Sequence, residues 1–238
     1  MHVRKLVAPA LLTIAATLAI GASAQSAPKP AKPAPNGSWN AVVVENGGGH
    51  RMGNPDAAGK LIEFMSYTCS HCATFARTGD GAIKLLYVPT GKVSYEIRHM
   101  VRDPVDLTAT LATHCGDPKK FFGNHEAIIS RQSDWMAKAQ SLTQAQQARW
   151  SFGSFGARAQ AIASDLDFYD IMEARGYSRT QLNQCLTDEA NARSIAQRSG
   201  EDTATYKLAG TPSFVLDGKT LEGVHNWAAL QPLLDRYF

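Results

Sequence analysis

Leu61 to Tyr67 is an apolar run of strand character, and it leads directly into Cys69-Ser70-His71-Cys72. Residues 72–86 then read as a helix, with Phe75, Ile83 and Leu86 among its buried positions. A Cys-x-x-Cys at a strand-to-helix junction puts its first sulfur against the unpaired N–H groups of the helix start and the positive end of the dipole. Such surroundings lower a cysteine pKa from about 8.5 to between roughly 3.5 and 7.5. Stabilising the thiolate destabilises the disulfide relative to it, by roughly 30 mV for each pKa unit. The pattern predicts that Cys69, exposed at the helix start, is the sulfur that partners attack. Cys72, one turn in and more buried, closes or resolves the pair. His71, when protonated, adds a positive charge beside Cys69. Ser70 either bonds a sulfur or caps the helix. Two other readings stay open. Half a zinc site needs two more ligands, and His99, His114 and His125 form no ligand pair. A purely structural bridge with two residues between its cysteines closes almost no chain entropy.

The N-terminus bears on the redox setting. Arg4 and Lys5 precede a largely apolar stretch from Leu6 to Ile20, and Ala22-Ser23-Ala24 has the small residues of a cleavage site. Residues 1–24 therefore read as a secretory signal peptide. If uncleaved, the segment would be an anchor. The localisation expected is the periplasm, across the inner membrane, where disulfides persist. Removing the signal takes the net charge from +3 to +1, which leaves no electrostatic footprint for nucleic acid. Residues 25–38 carry Pro28, Pro30, Pro33 and Pro35 and read as an extended linker.

Beyond the linker, short strands are expected over residues 41–45 and 50–52 around Asn46-Gly47, then over 60–67 and 93–99. The glycines at 47–49 lack the Lys-Ser/Thr ending of a phosphate loop. After Asp103-Pro104 the period becomes helical: Leu107, Leu111 and Cys115 share one stripe, and Leu182, Cys185 and Leu186 another. Thr143 with Gln146, and Ser178 with Gln181, have capping-box spacing. Strand character returns at Ser213 to Leu216, Asp217-Gly218 turns the chain, and a C-terminal helix follows that contains an awkward Pro232. Strands thus bracket about 100 helical residues and must share one sheet. Of the three pairings open to four cysteines, spacing favours Cys69 with Cys72 and Cys115 with Cys185. Two buried thiols are the alternative for the second pair. Trp135, Trp150, Phe121 and Phe122 read as core, or as the lining of a peptide groove.

"EFMSYTCSHCATF", followed about 140 residues later by "GTPSFVLDGK", resembles the DsbA-like branch of the thioredoxin superfamily. The likeness runs from Trp39 to Phe238. It implies an α/β thioredoxin-like domain over residues 39–103 and 204–238, with a helical domain inserted over 104–203. It also implies a cis proline at Pro212, a backbone at Thr211 that pairs with a substrate peptide, and a buried acid at Glu63 that accepts a proton from Cys72. The expected activity is a thiol:disulfide oxidoreductase that introduces disulfides into folding polypeptides through Cys69 and Cys72. It would need no bound cofactor and no metal, and would be reoxidised by a membrane quinone-linked partner. Ser70 stands where strong oxidants of the branch often have proline, and Thr211 where they often have valine. Both positions bear on the potential. The alternatives are a reductase or isomerase kept reduced by a partner, or a soft-metal (copper) protein on the same fold. A dimeric isomerase would carry an N-terminal dimerisation domain in place of the linker.

Overall fold

The computed structural model describes Ala34 and residues 37–238. The signal peptide expected over 1–24 lies outside the described residues, as does most of the expected linker. A six-stranded mixed sheet is built from β1 (Val43–Asn46), β2 (Gly49–Met52), β3 (Gly59–Met65), β4 (Val93–His99), β5 (Ser213–Leu216) and β6 (Lys219–Thr220). Its order is β1-β2-β4-β3-β5-β6. β3 runs parallel to β4 and antiparallel to β5. The chain must therefore cross over between β3 and β4, and it does so through a helical run that begins with α1 (Ser70–Phe75) and continues to Thr90. The strands on either side of the helical block do share one sheet, so this is the thioredoxin-like fold with a helical insertion.

The expected buried face of the crossover helix is two-thirds right. Phe75 and Ile83 are buried at 1% and 0% exposure, whereas Leu86 is 65% exposed. The reason is local. Residues Ala76–Asp80 and Ile83–Tyr87 are π-helical, and i→i+5 turns rotate later side chains away from the 3.6-residue stripe. Tyr87 and Trp227 then meet edge to face, which seats the C-terminal helix against the crossover, and Phe75 packs on Phe214 of β5.

Between β4 and β5 lie α2 (Pro104–Thr113), α3 (Phe121–Ile129), α4 (Gln132–Gln140), α5 (Gln144–Ser151), α6 (Phe155–Asp165), α7 (Phe168–Glu173), α8 (Arg179–Thr187) and α9 (Glu189–Thr205); α10 (Trp227–Leu234) ends the fold. Asp103 caps α2, accepting from the amides of Val105 and Asp106, with Pro104 at the position that needs no N–H. Both expected capping boxes are formed. Pro232 does sit inside α10, on its exposed side. Trp135 is fully buried against Phe168. Trp150 is half-buried and gives its indole N–H to Asp165. The pair expected in the insertion is present as a disulfide, Cys115–Cys185, which ties the end of α2 to α8.

An aromatic layer joins sheet and insertion. His50 of β2 stacks on Phe121 at 4.0 Å, His114 meets both His50 and His99, and Tyr67 lies over His99. These imidazoles are shut away from water, so their charged forms are disfavoured: burial lowers His50 to about 4 and His114 to about 3, and pushes His99 down as well.

Two outcomes are expected. The Cys115–Cys185 bridge closes 70 residues, so C115A/C185A should lose about 4 kcal/mol in urea unfolding by the chain-entropy relation. Acid should also loosen the aromatic layer. Unfolded histidines bind protons near pH 6.5, and these bind them only near pH 4 and 3. Stability of the oxidised protein should therefore fall as pH drops from about 6.5 through 4. Removing the titratable groups with H50F/H114F should flatten that decline in a pH series of urea midpoints.

Candidate active site

The loop between β3 and α1 is held from the insertion. Asp106, fully buried, accepts from Ser66 Oγ (2.6 Å), Tyr67 N (2.7 Å) and Arg102 N (3.0 Å). Asp103 accepts from Thr68 Oγ1 at 2.6 Å. Gln132 of α4 donates to the carbonyls of Tyr67 (2.5 Å) and Cys69 (2.8 Å). Burial raises Asp106 to about 7 even against these three donors. A buried carboxyl of the insertion that satisfies two groups of the cysteine loop and the amide of Arg102, just after β4, helps fix where Cys69 sits. None of Asp103, Asp106 or Gln132 was marked as a site residue by the sequence. Asp103 shows there only as the residue before Pro104, where the period becomes helical, and nothing local distinguishes Asp106 or Gln132 from surface helix residues.

Cys69 is the N-cap of α1, with φ −94° and ψ 118°. Its thiol and that of Cys72 are both free, the reduced state of the pair. The Cys72 thiol most of all, then the Thr211 hydroxyl and the amides of Cys72 and His71, lower the pKa of its sulfur. Partial burial works the other way. The Thr211 carbonyl, 3.2 Å away, also favours the protonated thiol because it can only accept. The donors prevail, and the Cys69 pKa falls to about 4.

Three expectations change here. Cys69 is not exposed. It turns in under Thr211 and against Cys72 and keeps 5% of its surface. His71 acts through its backbone N–H, while its side chain stands in solvent. Ser70 neither caps the helix nor bonds a sulfur. It is the exposed first helical residue, because Cys69 itself takes the cap position.

Cys72, at 1% exposure, is the opposite case. Burial, the bond it gives Cys69 and the nearby Glu63 carboxyl all push its thiol far up. Glu63 on β3 is 2% exposed. Burial and the Asp80 carboxyl raise it well above the carboxylate range, against the opposing bond from Tyr95. The phenol of Tyr95 on β4 contacts both acids, Glu63 directly and Asp80 at 2.8 Å. Tyr95 was read from the sequence only as part of the strand expected over 93–99, and Asp80 was not singled out. Across the site the Thr211–Pro212 bond is cis, and the Pro212 carbonyl is engaged by His225 Nδ1 at 2.8 Å. Thr211 and Pro212 thus lie where the resemblance puts them, against Cys69. No group of three or more His, Cys, Asp or Glu among the described residues is placed to hold a metal ion.

The Cys69 thiolate should be trapped by iodoacetamide at a rate that is flat above about pH 5 and falls off near pH 4. T211V removes one donor to a charged acceptor, a bond of about 1.5–3 kcal/mol. It should raise the break by roughly one to two pH units.

A thioredoxin family model matches residues 45–236. The fold is similar to that of protein-disulfide isomerase from Novosphingobium aromaticivorans, with TM-score 0.75, 44% identity, and coverage of 80% of this chain and 97% of that one. The alpha-DsbA1 of Wolbachia pipientis shares the fold at TM-score 0.63 and 21% identity, over 84% of this chain and 96% of that one. A curated relative from Rickettsia bellii, of the protein-disulfide oxidoreductase type by name, is 26% identical over 72% of this chain. The chain spans 58% of that relative's length. With its Cys-x-x-Cys at the head of the crossover helix, its cis proline opposite and a family match over most of its length, the chain belongs to the thioredoxin family, with a helical insertion in its fold.

Proposed function

We propose that the protein is a thiol:disulfide oxidoreductase that donates its Cys69–Cys72 disulfide to folding secreted polypeptides. The observation that carries this reading is the asymmetry of the two sulfurs: Cys69 is held as an anion with a pKa near 4, and Cys72 is held as a thiol. A stabilised Cys69 thiolate makes reduction of the disulfide favourable and makes Cys69 the better-placed final leaving group.

In the reaction, a substrate thiolate attacks Cys69 Sγ of the disulfide. A new S–S bond forms, the Cys69–Cys72 bond breaks, and its electron pair goes to Cys72, which takes up a proton. A second substrate thiolate then attacks the substrate sulfur of the mixed disulfide. The substrate leaves oxidised, and Cys69 departs as the thiolate that the donor groups around it stabilise. The substrate has lost two electrons and the Cys69–Cys72 pair has gained them. Renewed use requires a reoxidation partner, for which the family resemblance suggests a membrane quinone-linked protein. The signal-like residues 1–24 support a periplasmic location. No resident cofactor enters this scheme.

A second reading, isomerase, is favoured by two observations. The Novosphingobium relative is named a protein-disulfide isomerase, and Thr211 supplies a hydroxyl to the sulfur.

Titration of the Cys69–Cys72 pair against glutathione should give a potential nearer the range of about −120 to −180 mV than the value of about −270 mV typical of thioredoxin. C69S should abolish oxidation of a reduced, unfolded disulfide protein, while C72S, which keeps only the Cys69 thiolate, should accumulate a mixed disulfide when it is given the oxidised form of that protein, Cys69 attacking a substrate disulfide and releasing one substrate thiolate. A potential at the thioredoxin value rules out the oxidant, and faster rearrangement of a scrambled substrate than oxidation of a reduced one selects the isomerase.

A further inference from the structure

We propose that Asp80 and His125, acting through Tyr95, are positioning residues that keep a proton on Glu63 for delivery to the Cys72 sulfur. The inference rests on the disulfide-exchange reading, and it follows from counting hydrogens along a buried chain.

The chain runs from the insertion to the active site. Thr113 Oγ1 gives its hydrogen to the Thr110 carbonyl at 3.0 Å. It must therefore accept from the Tyr67 hydroxyl, 3.1 Å away. With its one hydrogen spent, the Tyr67 oxygen can only accept from His125 Nδ1, at 3.0 Å, so Nδ1 carries hydrogen. On the other side of the ring, His125 Nε2 lies 3.3 Å from Asp80 Oδ2, within ion-pair distance, and makes no hydrogen bond. A proton on Nε2 would set a positive charge against the Asp80 carboxylate. Asp80 Oδ1 is 2.8 Å from the Tyr95 hydroxyl, whose oxygen also touches Glu63 Oε2.

The two hydrogen bonds in the row, Asp80 to Tyr95 and Tyr95 to Glu63, need two hydrogens, and the phenol supplies one. Glu63 or Asp80 must hold the other, and a proton on His125 completes the ion pair with Asp80. With those two protons the cluster is electrically neutral, which is what exposure of only 2% for Glu63, 4% for Asp80 and 1% for His125 requires.

The neighbours decide where the protons sit. Asp80 has an imidazole against it, so the negative charge that remains belongs on Asp80, paired with His125. The Tyr95 hydrogen then points to Asp80, and Glu63 must carry its own proton, donated to the Tyr95 oxygen. The groups that face Glu63 are Asp80 and the two sulfurs of the crossover helix, Tyr95 of β4, and Tyr67 of the loop. The groups around His125 are Tyr67, Asp80 and His99. Asp106 faces Tyr67 from α2. Glu63 has no cation beside it among these.

When a substrate thiolate displaces Cys72, the electron pair of the broken S–S bond arrives on a sulfur whose surroundings disfavour an anion. The Glu63 proton moves to Cys72 Sγ and leaves a carboxylate. The Tyr95 hydrogen can then swing from Asp80 to Glu63.

The test reads the carboxyl carbons of ¹³C-labelled Glu and Asp by NMR on the intact reduced protein, with E63Q to assign the Glu63 signal. In the wild type, Glu63 should titrate well above the ordinary carboxylate range. D80N removes the neighbouring charge and frees the Tyr95 hydrogen for Glu63, so the Glu63 midpoint should fall by at least one pH unit. Y95F removes a donor to the carboxylate, so the midpoint should rise. The rate at which a dithiol peptide reduces the oxidised protein should follow. For D80N its high-pH fall-off should move to lower pH by the same amount, with about tenfold loss per unit at a fixed pH above the break. Glu63 titrating in the ordinary carboxylate range in the wild type would overturn the proposal. So would shifts of one sign in both variants, or a uniform loss of rate with an unmoved profile. The titration needs no substrate, so a failure of proton sharing and a failure of disulfide exchange are separate results.

Discussion

One sulfur, its pKa lowered to about 4 by the donor groups around it, organises this protein. Each donor comes from a part of the fold that must be in place for it. The amides of His71 and Cys72 exist as free donors only because a helix starts at Cys69. Thr211 arrives from beyond the far end of the insertion, 142 residues away, its carbonyl accepting from the Cys69 thiol and its hydroxyl lowering the pKa of that sulfur. The Cys72 thiol stays a thiol, and so a donor, because it is buried beside an acid. The sheet brings these together: β3 delivers the cysteines, and its antiparallel neighbour β5 delivers the residues just before Ser213.

The insertion matters to the site as much as the sheet does. Asp103, Asp106 and Gln132 bond the loop that carries Cys69, and His125 reaches the Asp80 carboxyl beneath it. A helical block that only covered the sheet would need apolar contacts alone. This one commits buried polar groups to specific partners, each of which would be costly to leave unpaired. Neutral imidazoles fill much of the remaining contact, so the two parts meet without net charge between them.

The sequence made the sheet legible because strand periodicity and turn chemistry agree. Residues 93–99 and 213–216 form strands as read, and the turn at Asp217-Gly218 has both residues at positive φ, as Asp-Gly allows. Caps were legible for the same reason: Thr143 with Gln146 and Ser178 with Gln181 are local chemistry. Leu86 was not, because π turns alter the helical period without a composition signal. At the site, Cys69, Cys72, Glu63, Thr211 and Pro212 come together, and each lies on a motif or beside one. The exposure of Cys69 and the role of the His71 ring were misjudged. Solvent access and side-chain direction depend on residues far away in the chain. Asp80, Tyr95, Asp106 and Gln132 carry no local mark at all, since what makes them part of the site is the partner each meets across the fold.

The bridge between α2 and α8 joins residues 70 positions apart, so it cannot close until most of the insertion has been synthesised. A newly made copy is therefore itself a client for oxidation. If its own kind supplies that oxidation, the first molecules in a cell need help from another source, and every later one inherits its cystine from an elder.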